Sequence, residues 1–200
     1  MTNFIYLASQ SARRSQLLDQ LGVRHTLLLA DADEDAESME ETLPGEAPSH
    51  YVGRVTRLKL DAALQRMKRR GLPPAPVLCA DTTVARGRRI FGKPVDAVDA
   101  GCMLQALSGT THRVLTAVAM QQGRTRRQAL SESRVSFAPL TSQQIARYVE
   151  TGEPMGKAGG YAVQGRAAAF ISRISGSHSG IMGLPVHETA QLLRAFGFQF

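Results

Sequence analysis

Four short runs in this 200-residue chain combine residue types suited to handling anions. The first is Ser9-Gln10-Ser11-Ala12-Arg13-Arg14, which follows the apolar residues 4–8. It reads as a strand, a polar turn and the start of a helix. Helix N-termini carry free N–H groups and partial positive charge, so hydroxyls and a guanidinium there add donors for a phosphate. The competing reading is ordinary capping by Ser11 with exposed arginines. The second run is Cys79-Ala80-Asp81-Thr82-Thr83. A carboxylate where a buried strand ends suits a metal ligand, a general base, or a turn Asp bonded to its own backbone. The third is Phe91-Gly92-Lys93-Pro94. Pro94 stiffens the chain after Lys93, which with Lys59 and Lys157 offers point charges to a polyphosphate; singly, each lysine also fits an open surface. The fourth runs from Glu153 through Lys157-Ala158-Gly159-Gly160 to Gln164. Its glycines permit close backbone approach to a ligand. The Gln164 amide both donates and accepts, which suits a nucleobase edge. A glycine-rich crossover is the alternative.

The elements that would position these runs follow from periodicity and punctuation. Strands are expected at residues 4–8, 26–30, 77–80, 112–120, 129–137, 161–164 and 168–174. Helices are expected after Ser11, over 48–70, from the Asp96 cap to Leu107, from Thr141 to Glu150, and over 187–196. Residues 84–92 read as a hairpin turning at Gly87. Strands and helices alternate throughout, which predicts one α/β domain over residues 1–200 with a mixed sheet. The five histidines are scattered, and His112 reads as a hydrogen-bonded structural residue.

Several classes are excluded or disfavoured. Neither G-x-x-x-x-G-K-[ST] nor G-x-G-x-x-G occurs, and H-E-x-x-H is absent. Residues 176–180 spell GSHSG, with His where a hydrolase elbow needs Ser. Two cysteines make no disulfide framework or cysteine-based zinc site. No apolar run is long enough to span a bilayer and the N-terminus does not read as a signal peptide, so a cytoplasmic location is expected. The net charge of +7 invites a nucleic-acid reading. Against it, aromatics are only 6% and Trp is absent, so stacking platforms are scarce. The charge is also segregated. Residues 1–50 carry 3 basic and 9 acidic side chains, and residues 51–93 carry 11 basic and 2 acidic.

Taken together, the motifs resemble the Maf family of nucleoside triphosphate pyrophosphatases. The resemblance is carried by L-A-S-x-S-x-R-R at 7–14, the Glu34 loop, R-x-x-x-x-K at 54–59 and A-D-T at 80–82. G-K-P at 92–94 and L-S-G-x-x-H at 107–112 follow. E-P-x-x-K-A-G-x-Y-x-x-Q-G at 153–165, G-S at 176–177 and G-L-P at 183–185 complete the order. It implies an α/β fold of the Maf and inosine triphosphatase type, a mixed sheet flanked by helices with two lobes around a central cleft, often as a homodimer. It implies cleavage of a nucleoside triphosphate between the α and β phosphates with a divalent cation, Mg²⁺ or Mn²⁺. By position, Asp81 matches the proton acceptor and Arg13, Thr82 and Gln164 match positions tied to substrate choice. Ser9, Arg13, Lys59 and Lys93 match phosphate contacts, and Glu34 with Asp81 the metal side. The A-D-T and K-A-G-x-Y-x-x-Q-G forms are similar to the branch acting on dTTP and UTP. Gly156 stands where the family usually has Asp. A feebly catalytic nucleotide sensor and a basic nucleic-acid-binding module are the alternative functions.

Overall fold

The structure is a computed structural model that describes residues 4–31, 34 and 38–200. The chain runs β1 (Ile5–Leu7), α1 (Ala12–Gln20), β2 (His25–Leu27), a 3₁₀ turn (Ser38–Glu40), α2 (Pro48–Arg69), β3 (Val77–Arg86) and β4 (Arg89–Phe91). It continues through α3 (Ala97–Leu107), β5 (Thr111–Gln122), β6 (Thr125–Phe137), α4 (Ser142–Glu150) and two further 3₁₀ turns (Ala158–Gly160 and Arg166–Phe170). β7 (Ile171–Ser175), the short α5 (His178–Met182) and α6 (Val186–Ala195) complete it.

One mixed sheet has the order β2-β1-β3-β5-β6-β7, with β4 also pairing β3. The β2-β1-β3 end is parallel and the remainder antiparallel. Side chains alternate between faces along each strand. Val77, Cys79 and Ala85 of β3 therefore pack under α2 with Leu60, Ala63, Tyr51, Val52 and Val55. Leu78 and Ala80 point to the opposite face, against Leu17 and Leu18 of α1 and Leu192 and Leu193 of α6. A further core joins Val84, Val114, Val135 and Phe137 to α3 and α4. The turn signals act where expected. Asp96 accepts from the Asp99 amide, Thr141 and Gln144 form a capping box, and Gly87 turns the β3–β4 hairpin at φ +60°.

Three expected strands are corrected. β3 does not end at Asp81 but continues to Arg86, because every residue from Val77 to Ala85 finds a partner on β5. Residues 161–164 are not a strand; they leave the Ala158–Gly160 turn as extended chain and enter another turn. The segment expected as a strand at 168–174 begins as 3₁₀ turn and pairs only from Ile171.

β3 opens the site through its pairing. One edge of β3 is filled along its length by β5. On the other edge β1 reaches only Val77 and Leu78, and β4 begins at Val84. Residues 80–83 are therefore unpaired on that edge. The sheet is split there, and Asp81 and Thr82 lie in the split on opposite faces.

Candidate active site

A cleft of about 600 Å³ opens at this split. The β1–α1 turn (Ser9 to Arg14), Lys59 and Arg66 of α2, Asp81 and Thr82 of β3, and Lys93 line it, with Lys157, Tyr161 and Gly183 from the C-terminal half. Seven of the eight residues singled out from the sequence are thus brought together: Ser9, Arg13, Glu34, Lys59, Asp81, Thr82 and Lys93. Gln164 is not among the lining residues. It is exposed, directly after Val163, which does line the cleft.

The β1–α1 turn is held from inside. Ser9 Oγ accepts from the Ser11 amide at 3.1 Å and from Arg14 Nη1 at 3.0 Å. Its own proton remains free to donate. Arg14 Nε donates to the Gly183 carbonyl at 2.7 Å, tying the turn to the far wall. Ser11 makes no side-chain cap on α1, so the capping alternative fails; the Arg14 amide bonds the Ser11 carbonyl at 3.1 Å, which leaves the Ala12 and Arg13 amides to meet an anion. Arg13, half-buried, makes no hydrogen bond or ion pair with the described residues and lines the cleft.

Lys59 sits on the buried stripe of α2, one turn after Val55 and one turn before Ala63. An ammonium there is costly unless paired. Its Nζ donates to Asp81 Oδ1 at 2.5 Å and to Glu40 Oε1 at 2.6 Å. Burial disfavours the charged lysine, but the Asp81 and Glu40 carboxylates outweigh burial and raise its pKa. Lys93 Nζ donates to both oxygens of Glu40, at 2.9 and 2.8 Å. Burial opposes ionisation of Glu40 too, yet Lys59 and Lys93 pull its pKa down. Two lysines and two carboxylates thus form one chain across the cleft. Tyr51 on α2 donates to the Glu40 carbonyl at 2.8 Å and anchors that 3₁₀ turn.

Glu34 is placed differently from the expectation that set it beside Asp81. Arg66 binds both its oxygens, and Arg69 Nη2 donates to Oε1 at 2.9 Å. The Arg66 hydrogen bonds hold its pKa down at about 2. Glu40, which sequence reasoning passed over, is the carboxylate that shares Lys59 with Asp81. It lay within a run of acidic residues with no pattern to single it out. Tyr51 was visible only as a residue of the helix expected over 48–70.

On the opposite face of β3, the Thr82 hydroxyl lies 2.9 Å from that of Thr116, its cross-strand partner on β5. Lys157 reaches the cleft with Nζ 3.2 Å from the Met155 carbonyl. Gly156 before it has φ +71° and open space where a Cβ would stand, a left-handed position at which glycine is the least strained residue. His112 is structural, as expected. It is buried, shares a 2.8 Å hydrogen bond with Tyr161, and burial lowers its pKa to about 4.

Among the described residues no group of three or more His, Cys, Asp or Glu is arranged to hold a metal ion. Mg²⁺ in phosphate chemistry is commonly held by one or two carboxylates completed by substrate oxygens and water. Asp81 and Glu40, both within hydrogen-bond reach of one ammonium, supply that donor set. No helix among the described residues is long and apolar enough to cross a membrane.

The family model described as "Maf-like protein" matches residues 4–196. The chain is 71% identical to a dTTP/UTP pyrophosphatase of Albidiferax ferrireducens over 100% of both chains. It is 66% identical to one of Polaromonas sp. over 98% of both, and 62% identical to one of Cupriavidus metallidurans over 100% of both. Among solved structures, the Staphylococcus aureus Ham1 protein aligns with 96% of each chain at 11% identity and a TM-score of 0.45.

Proposed function

The chain belongs to the Maf family, and on that premise we propose that it is a pyrophosphatase acting on dTTP and UTP. It hydrolyses the bond between the α and β phosphates, releasing the monophosphate and pyrophosphate. The observation that carries this reading is the Asp81–Lys59–Glu40–Lys93 chain facing the uncapped start of α1 across one cleft. A triphosphate brings roughly four negative charges, and stabilising them is the main catalytic demand.

Ser9 donates its free hydroxyl proton and Arg13 forks onto phosphate oxygens in a way lysine cannot. Lys59 and Lys93 offset charge gathering on the departing pyrophosphate. Asp81, fixed by Lys59, takes the proton of the attacking water. Asp81 and Glu40 are the residues here that would hold Mg²⁺ or Mn²⁺ with the phosphates. When bound, such an ion neutralises phosphate charge and lowers the barrier to attack. Glu34 buttresses Arg66 in the cleft wall instead. Arg13 and Thr82, with Gln164 next to the lining segment, face the choice of base.

The test is pyrophosphate release from a panel of nucleoside triphosphates with Mg²⁺. The expected result is strongest release from dTTP and UTP, falling about a hundredfold or more in Asp81→Asn with the melting temperature retained. Near-normal turnover in that variant would remove Asp81 from its role. Nucleotide binding without release would instead favour a sensor.

A further inference from the structure

Thr116 lies in the middle of β5, opposite Thr82 on β3, with only 1% of its surface exposed. Its Oγ1 donates to the Gly180 carbonyl at 2.7 Å. That carbonyl can only accept, and it also accepts the Gly183 amide at 3.0 Å. The Thr82 hydroxyl stands 2.9 Å from Thr116 Oγ1. Each hydroxyl has a single proton. Both bonds can be made together only if Thr116 spends its proton on Gly180 and Thr82 spends its proton on Thr116. Thr82 then turns only lone pairs toward the cleft it lines.

An acceptor at that point is mismatched to phosphate oxygens, which are acceptors themselves. It fits the donor-bearing end of the substrate. Thymine and uracil carry a ring N3–H, whereas cytosine presents an N3 lone pair at the same place. We infer that Thr116 is a positioning residue for base selection: by fixing the Thr82 proton it makes Thr82 an acceptor that favours pyrimidines carrying a ring N–H. This rests on the pyrophosphatase reading for its choice of ligand. A hydroxyl free to rotate would serve either base, so the discrimination belongs to the pair and not to Thr82 alone.

The test measures binding of the non-hydrolysable α,β-imido analogues of dTTP and dCTP by calorimetry, alongside turnover of the parent nucleotides. Wild-type protein is expected to favour the thymine analogue. Thr116→Val, which replaces the hydroxyl by a methyl, is expected to reduce that preference about tenfold or more, since a mispaired buried polar group is the discriminating term. Thr116→Ser is expected to restore it. The preference for dTTP over 2′,3′-dideoxy-TTP is expected to be the same in all three proteins. An unchanged thymine preference in a folded Thr116→Val, or a change confined to the dideoxy comparison, overturns the inference. Should Thr116→Val not fold, wild-type protein given N3-methyl-dTTP decides: binding as tight as that of dTTP overturns it, and a loss comparable to that of dCTP supports it. Selective binding without turnover would count against the pyrophosphatase reading and leave this inference standing.

Discussion

Glu40 carries the least expected part of the site. Its carboxylate occupies both lysines proposed to meet the phosphates, at 2.6 Å from Lys59 and 2.8 Å from Lys93. A carboxylate and a phosphate oxygen compete for the same donors, so an incoming polyphosphate must displace Glu40 or share its lysines. Glu40→Gln keeps the shape and removes the competing charge. In metal-free buffer, pyrophosphate is expected to bind this variant about tenfold tighter than wild type, the scale of one partly buried charge pair. Calorimetric titration reads it directly, and binding equal to or weaker than wild type would show that Glu40 does not guard the lysines. Asp81 and Lys59 were legible individually from residue type and motif. Their mutual contact was not, because it depends on α2 crossing β3 so that the buried stripe of the helix carries Lys59 over the unpaired edge.

The same contrast holds for elements. Helices were readable from apolar spacing and caps because those signals are local: Pro48 at the start of α2, the Thr141 capping box, the left-handed glycine after α1. The length of β3 was not, because its second half is buried on the strength of β5 and β4, and Asp81 mimics a strand end. Residues 161–164 read as a strand from their apolar run but pair with no strand, and the glycines just before them are used for contact. Gly159 has φ +70°, donates its amide to the Gly92 carbonyl at 2.9 Å, and would place a Cβ 2.9 Å from Val84. That contact docks the Lys157 loop onto the β3–β4 hairpin, next to Lys93. Gly159→Ala combines a left-handed side chain with a core clash. It is expected to destabilise the fold by about 2 kcal/mol, seen as a lower urea midpoint, and to weaken triphosphate binding by displacing Lys157. A midpoint matching wild type would mean the loop yields without cost.

At the scale of the molecule, the net charge of +7 conceals an internal arrangement. The acidic N-terminal block and the basic block after it bind one another: Asp31 to Arg69 and Arg70, Glu34 to Arg66 and Arg69, Glu46 to Arg54, and Glu40 to Lys59 and Lys93. The pKa values of Asp31, Glu34, Glu40 and Glu46 are all lowered in the folded chain. A carboxylate with a lowered folded pKa contributes stability that is complete above its unfolded value and lost as pH falls through the folded one. For Glu34 that window runs from 4.5 down to about 2. His112 acts in a separate window. Burial lowers it from 6.5 to about 4, so the unfolded chain takes up that proton first and stability falls as pH drops between those values. The melting temperature is therefore expected to decline in two stages, gently from pH 6.5 toward 4 and more steeply below 4.5. His112→Gln should lower stability at neutral pH but flatten the upper stage, while Glu34→Gln should flatten only the lower one. Circular dichroism melts at half-unit pH steps check both slopes. An upper slope that survives His112→Gln would place its origin in another group.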